Sequence, residues 1–140
     1  MIRKHTHDDL ERILDVWYAS STLAHPFLKS DFVAKVKSDM RNIYLPDSET
    51  WVYEVDDEII GFISMISNEI GGLFVEPGRI GSGIGTQLLN FIGEIHPILE
   101  VEVFAQNSIG RAFYAKHNFH LLKEFVHPET GEVLFRLKKG

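Results

Sequence analysis

Leu73-Phe74-Val75-Glu76-Pro77-Gly78-Arg79-Ile80-Gly81-Ser82-Gly83-Ile84-Gly85-Thr86 is the stretch on which the fold turns. An apolar, β-branched run leads into a glycine-rich loop. Leu88, Leu89, Phe91 and Ile92 then recur at helical spacing. His96-Pro97 ends that helix, and Leu99 to Phe104 returns as a strand. A strand, loop, helix and strand in this order form a crossover, so the two strands are expected to run parallel. Glycines after a strand let the main chain approach a ligand, and the helix that follows offers its free N–H groups and positive dipole end to an anion. A pyrophosphate suits such a loop. A tight strand-to-helix connection with no ligand is the lesser alternative.

Outward from this loop the pattern is consistent. Upstream, Thr50 to Val55, Ile59 to Ile66 and Ile70 to Val75 read as an antiparallel meander, with Asp56-Asp57 as its first hairpin turn. Before it come two amphipathic helices. Thr6 is placed to cap the first, with Leu10, Ile13, Leu14 and Trp17 on one face, and His25-Pro26 breaks it. Phe32, Val33, Val36, Met40 and Ile43 mark the second, which Pro46-Asp47 ends. Downstream, Ser108 to His117 reads as a short helix, and Phe119 to Val126 with Glu132 to Leu137 closes the chain as a hairpin. The expected class is α+β: one domain over residues 1–140, built on a single mixed sheet with helices on both faces.

Composition narrows the function. The 140 residues carry a net charge of −6. No basic stripe interrupts that excess, so nucleic acid is not an expected partner. The start MIRKHTHDD lacks the apolar stretch of a secretory signal, and no apolar run is long enough for a membrane span. A cytoplasmic location and no membrane partner are the expectation. The chain has no Cys, which excludes disulfides, thiolate metal sites and a cysteine nucleophile. The seven His show no ligand spacing, so no metal is expected.

Two known phosphate loops can be tested against the residues. The nucleoside-triphosphate loop needs Lys-Ser/Thr after its last glycine, and here Gly83 is followed by Ile84-Gly85. The dinucleotide fingerprint needs G-x-G-x-x-G after the first strand of a βαβ unit, whereas this spacing is G-x-G-x-G behind antiparallel strands. Glu100 or Glu102 on the next strand keeps a dinucleotide-binding domain as an alternative.

Ile80-Gly81-Ser82-Gly83-Ile84-Gly85 resembles the Q/R-x-x-G-x-G/A loop of the GNAT superfamily of N-acetyltransferases, with Ile80 in place of Gln or Arg. Asn107-Ser108-Ile109-Gly110-Arg111-Ala112-Phe113-Tyr114-Ala115-Lys116-His117-Asn118-Phe119 resembles a second motif of that family, N-x-x-A-x-x-F-Y-x-x-x-G-F. Gly110 stands for the usual Ala, and Asn118 for the usual Gly, a mild change because Asn also tolerates a left-handed helix end. Trp17, His25-Pro26-Phe27 and Trp51-Val52 look like the small bacterial YiaC/YjaB-like branch.

The resemblance implies transfer of an acetyl group from acetyl-CoA to an amine acceptor, a protein lysine, a protein N-terminus or a small amine. It implies that Leu73, Phe74 and Val75 pair with the pantetheine arm. Gly81, Ser82, Gly83, Ile84, Gly85 and Thr86 would hold the pyrophosphate, with Asn107 beside the cofactor and Tyr114 protonating the leaving thiolate. Valine at Gly83 or Gly85 is expected to close the cradle. Backbone N–H groups at the Phe74-Val75 end are the candidate oxyanion donors. The base is sought among Glu102, Glu69, Glu76 and His25, with Glu102 preferred. Trp17, His25, Phe27 and Trp51 are candidates for the acceptor pocket, and a monomer or homodimer is expected. A sensor module that binds acyl-CoA without chemistry is the other reading of the same motifs.

Overall fold

The computed structural model describes residues 1–140 and builds one seven-stranded mixed sheet in the order β1-β2-β3-β4-β5-β7-β6. The strands are β1 (Ile2–Lys4), β2 (Glu49–Val55), β3 (Glu58–Ile66), β4 (Glu69–Val75), β5 (Leu99–Phe104), β6 (His120–Val126) and β7 (Val133–Lys139). The helices are α1 (Leu10–Ala24), α2 (Ser30–Asp39), α3 (Ile84–Ile95) and α4 (Ser108–Lys116). The expected class and element order stand. One strand was not foreseen: β1 is three residues long, too short for any periodic signal, and pairs antiparallel with β2.

Each boundary has a local cause. The Asp9 carboxylate accepts hydrogen bonds from the Thr6 N–H at 2.7 Å and the Thr6 hydroxyl at 3.2 Å, so Thr6 and Asp9 close a capping box over the 3-10 turn His7–Asp9 that leads into α1, and Thr6 does not cap α1 directly. Asp56 and Asp57 both have positive φ, 51° and 64°, the geometry of a two-residue hairpin turn. Asn118 has φ 68° and ends α4 as its place in the motif implies. The second helix runs on past Asp39 through a π turn at Met40–Tyr44 and a 3-10 turn at Leu45–Asp47, where Leu45 is buried.

Two cores lie on opposite faces of the sheet. Ile60, Ile63, Met65, Leu88, Leu89 and Ile92 belong to the core between the sheet and α3, which Tyr114 of α4 joins. Ile13, Leu14, Trp17, Val52, Phe62 and Leu45 form the core beneath α1. Truncating a fully buried leucine such as Leu88 to Ala in such a core costs about 2–5 kcal/mol. Strand β6 is the opposite case, an edge that leaves Leu121, Leu122 and Val126 exposed. No helix is long and apolar enough to cross a membrane.

The join between β4 and β5 matters most for function. These strands are parallel but share only two register pairs, Glu69 with Glu100 and Ile70 with Val101. Immediately afterwards the pairing of β4 with β3 skips from Met65–Ile70 to Ser64–Gly72, which leaves Gly71 as an extra residue. Such a bulge bends its strand. Beyond it β4 follows β3, β5 follows β7, and the sheet opens into a V-shaped cleft.

Candidate active site

The cleft continues into a cavity of about 700 Å³ lined from both halves of the sheet, the glycine loop and the helices. Hydrogen bonding along β4 decides what its open side presents. The Glu76 N–H donates to the Ile60 carbonyl, so alternate residues Phe74 and Gly72 also point their peptide groups at β3. The N–H groups of Leu73 and Val75 therefore face the cleft. This removes Phe74 from the expected oxyanion donors and leaves Val75, with Leu73 behind it. The Phe74 side chain still lines the cavity.

At the far end of β4 the glycine loop behaves as a main-chain cradle. Gly81 and Gly83 have φ 88° and 89°, in the left-handed region where a side chain is strained, and a Cβ on either would meet nothing within 4 Å. The first helical bond of α3 runs from the Gln87 N–H to the Gly83 carbonyl, so the N–H groups of Ile84, Gly85 and Thr86 have no backbone acceptor. These donors and the helix dipole suit a diphosphate. Ile84 turns its side chain into the core and can contribute only its peptide group. Gly85 differs from expectation: a Cβ there would lie 3.2 Å from the Phe113 ring, so Gly85 serves helix packing and does not hold the cradle open.

Three nearby residues lie outside the sequence-based assignment. Arg79 and Lys116 line the same cavity and supply positive charge. His117 Nε2 lies 3.0 Å from the Thr86 hydroxyl and ties the start of α3 to the end of α4. Burial, with Lys116 and Lys139 nearby, lowers the His117 pKa.

Tyr114 projects from α4 into the cavity wall, its ring held between Phe113 and Phe119 at centroid distances of 5.3 and 5.1 Å. Burial pushes its pKa above the usual phenol value, so the hydroxyl is protonated at neutral pH. That hydroxyl makes no hydrogen bond within the chain, yet no side-chain polar atom is sealed without a partner. It therefore opens onto the cavity. Asn107 caps α4, its Oδ1 accepting from the Gly110 N–H at 2.9 Å, while its Nδ2 reaches His25 Nε2 at 3.1 Å. Asn107 is thus a helix cap that also lines the cavity.

The acceptor-side candidates separate. Glu102 and Glu69 line the cavity, and both bind Arg136, at 3.0 and 2.6 Å. Arg136 also holds Glu100 at 2.7 Å and keeps its carboxyl below the usual range. Three carboxylates around one guanidinium leave this rim negative. Glu76 pairs with Arg12 at 3.5 Å and supports the back of α1. Trp17 and His25 line the cavity; Phe27 packs edge-on against His25 and Phe104, outside the lining. Trp51 is displaced from its expected place: it packs on Phe91 of α3, with centroids 4.7 Å apart, on the other face of the sheet. The Gly71 bulge and the Arg136 fork were missed. Two adjacent glycines in a strand are a legible bulge signal, whereas nothing local marks Arg136.

Known proteins share this fold. The family model for the acetyltransferase (GNAT) domain matches residues 46–121. The chain is 32% identical over 123 residues to the peptidyl-lysine N-acetyltransferase YiaC of Escherichia coli strain K12, covering 87% of this chain and 84% of that protein. To the peptidyl-lysine N-acetyltransferase YjaB of Salmonella typhimurium strain LT2 it is 30% identical over 119 residues, covering 84% and 81%. The solution structure of apo-form YjaB from Escherichia coli matches with a TM-score of 0.88 at 26% identity, over 99% of this chain and 95% of that one. The PaiA N-acetyltransferase from Thermoplasma acidophilum in complex with coenzyme A matches at 0.82 and 21%, over 99% and 97%. With its split sheet, glycine cradle and cleft-facing tyrosine, this chain belongs to the GNAT family of acetyltransferases.

Proposed function

We propose that this acetyltransferase moves the acetyl group of acetyl-CoA to the side-chain amine of a protein lysine, by direct attack within a ternary complex. The observation that carries the proposal is the convergence, in one cavity, of unpaired β4 peptide groups, orphan N–H donors at the start of α3 and a protonated Tyr114 hydroxyl. The acyl donor lies along β4 with its diphosphate on residues 81–86, Arg79 and Lys116 adding charge. The acceptor enters from the α1–α2 side past Trp17 and the negative rim of Glu69 and Glu102, which suits an ammonium group. The names of YiaC and YjaB favour a lysine over other amines.

A lysine amine has a pKa of about 10.4, so it must lose a proton before it can attack. Glu102 accepts that proton and passes it to solvent. The amine nitrogen bonds to the thioester carbon, and the Val75 N–H donates to the oxyanion that forms. As the C–S bond breaks, Tyr114 donates to the sulfur. The second nitrogen proton makes good the loss from Tyr114, so one amide, one thiol and one released proton are the products. The chain has no Cys, so no cysteine acyl-enzyme intervenes.

Thiol release from acetyl-CoA, followed with a lysine-containing peptide and with the same peptide carrying norleucine at that position, tests the reading. Release is expected only with the lysine peptide. Release that ignores the amine would refute it, and tight acetyl-CoA binding with no turnover on any amine would leave the sensor reading in its place.

A further inference from the structure

His25 sits where α1 ends against Pro26, and both of its ring nitrogens are engaged. The Gly110 N–H must donate to Asn107, which fixes Oδ1 as the amide atom facing α4 and turns Nδ2 toward His25. An amide nitrogen only donates, so His25 Nε2 accepts at 3.1 Å. The imidazole proton then lies on Nδ1, 3.0 Å from the Ser21 hydroxyl, which accepts it. Phe27 and Phe104 close over the ring edge-on at 5.8 and 5.2 Å. Burial lowers the His25 pKa to about 4, so the ring is neutral at physiological pH, and with no free lone pair it is not a base for the acceptor.

Gly110 completes this arrangement. A Cβ at that position would lie 2.6 Å from Asn107 Nδ2 and 3.1 Å from its Cγ, so the amide could not keep its pose above an alanine. The glycine that departs from the second motif is therefore what lets the cap of α4 reach across to α1.

We infer that His25 is a positioning residue, which locks the Asn107 cap through Nε2 and so fixes the helix that carries Tyr114 against the acceptor wall. The inference rests on the proposed role of Tyr114, but its geometry can be judged without it. Ser21, His25, Asn107 and Gly110 then form one connection from the acceptor side of the cavity to the cofactor side. Seating of an acceptor against the end of α1 is transmitted to the hydroxyl that meets the leaving sulfur.

Two substitutions separate positioning from simple packing. A glutamine amide reaches about as far as Nε2, and an asparagine amide about as far as Nδ1. His25→Gln keeps a partner for Asn107 and loses Ser21; His25→Asn does the reverse. His25→Asn is expected to lower kcat about tenfold or more, with acetyl-CoA Kd changed less than kcat, and His25→Gln to recover most of that loss. Gly110→Ala should reproduce the His25→Asn defect, and the double variant should be no worse than the poorer single one. Equal defects in the two His25 variants, or additive effects with Gly110→Ala, would overturn the inference. Nitrogen-15 spectroscopy of the unaltered protein at pH 7 needs no variant to fold: the neutral Nδ1-protonated tautomer is expected, and the Nε2-protonated form would overturn it. A wild-type protein that turns over no amine yet shows the expected tautomer would refute the proposed reaction while leaving the His25–Asn107 connection in place.

Discussion

The two walls of the cavity are built from different material. On the proposed cofactor side the wall is mostly main chain, the Leu73 and Val75 peptides on β4 and the N–H groups that open α3, with Arg79 and Lys116 adding charge at its edge. On the proposed acceptor side it is built of side chains from distant parts of the chain, with Trp17 on α1, His25 at its C-terminal cap and the carboxylates held by Arg136. A main-chain wall depends on backbone conformation, so it constrains sequence mainly by forbidding Cβ atoms at a few points. A side-chain wall depends on residue identity and can be rebuilt for another acceptor while the acyl donor stays the same.

That contrast makes graded predictions. The largest effect is expected at Gly83, where φ is 89° and nothing lies within 4 Å of a Cβ. Gly83→Val should strain the left-handed turn by about 1–2 kcal/mol or more and misdirect several donors, lowering acetyl-CoA affinity about 100-fold by calorimetry. Gly85→Ala is the control within the same motif: its Cβ meets Phe113, so it should lower the melting temperature with little loss of affinity. Wild-type affinity in Gly83→Val would remove the cradle. Next is Tyr114→Phe, expected to reduce kcat about 30-fold to 100-fold while acetyl-CoA Kd stays within about twofold. A kcat that is unchanged across the pH range would take Tyr114 out of the reaction.

The acceptor wall should respond more weakly and through different constants. Glu102→Gln is expected to lower kcat about tenfold to 100-fold without weakening acetyl-CoA binding. Glu100 shares Arg136 but lies outside the cavity lining, so Glu100→Gln should leave turnover close to normal. Equal losses in the two would mean that the carboxylates act only through Arg136.

The smallest effect belongs to the framework. Arg3 holds the Asp9 carboxylate at 2.8 Å, the hydrogen bond and charge lowering its pKa from 3.8 to about 2. Because the folded value is depressed, the stabilisation is present above about pH 4 and lost as pH falls toward 2. Its size is at most about 2.5 kcal/mol. Asp9→Asn should therefore flatten the acid limb of a melting-temperature profile and leave kcat at neutral pH unchanged. An altered kcat would place Asp9 within the catalytic half of the molecule.

The same division explains what could be read from residues alone. Strand, loop and helix around 73–95 were legible because alternation, glycine and helical spacing are local signals, and Asp56-Asp57 and Asn118 marked their turns for the same reason. Strand β1 escaped because three residues carry no period, and its existence depends on the β2 edge it joins. Trp51 was misplaced because a strand residue's face depends on register, which the local pattern left open. Phe27 was misjudged because its neighbours, His25 and Phe104, meet only after β5 is in place. The ties of Arg136 to Glu69 and Glu102 span 67 and 34 positions, and no local pattern encodes contacts at such range.

A strand that gives up one neighbour keeps half of its peptide groups in reserve. Along β4 the amides of Gly72 and Phe74 are sealed against β3, while those of Leu73 and Val75 face solvent when the slot is vacant. Deuterium uptake should therefore alternate residue by residue, slow and fast, within a single continuous strand. Coenzyme A should erase that alternation by slowing the second set alone, as if an eighth strand had been slipped into the sheet.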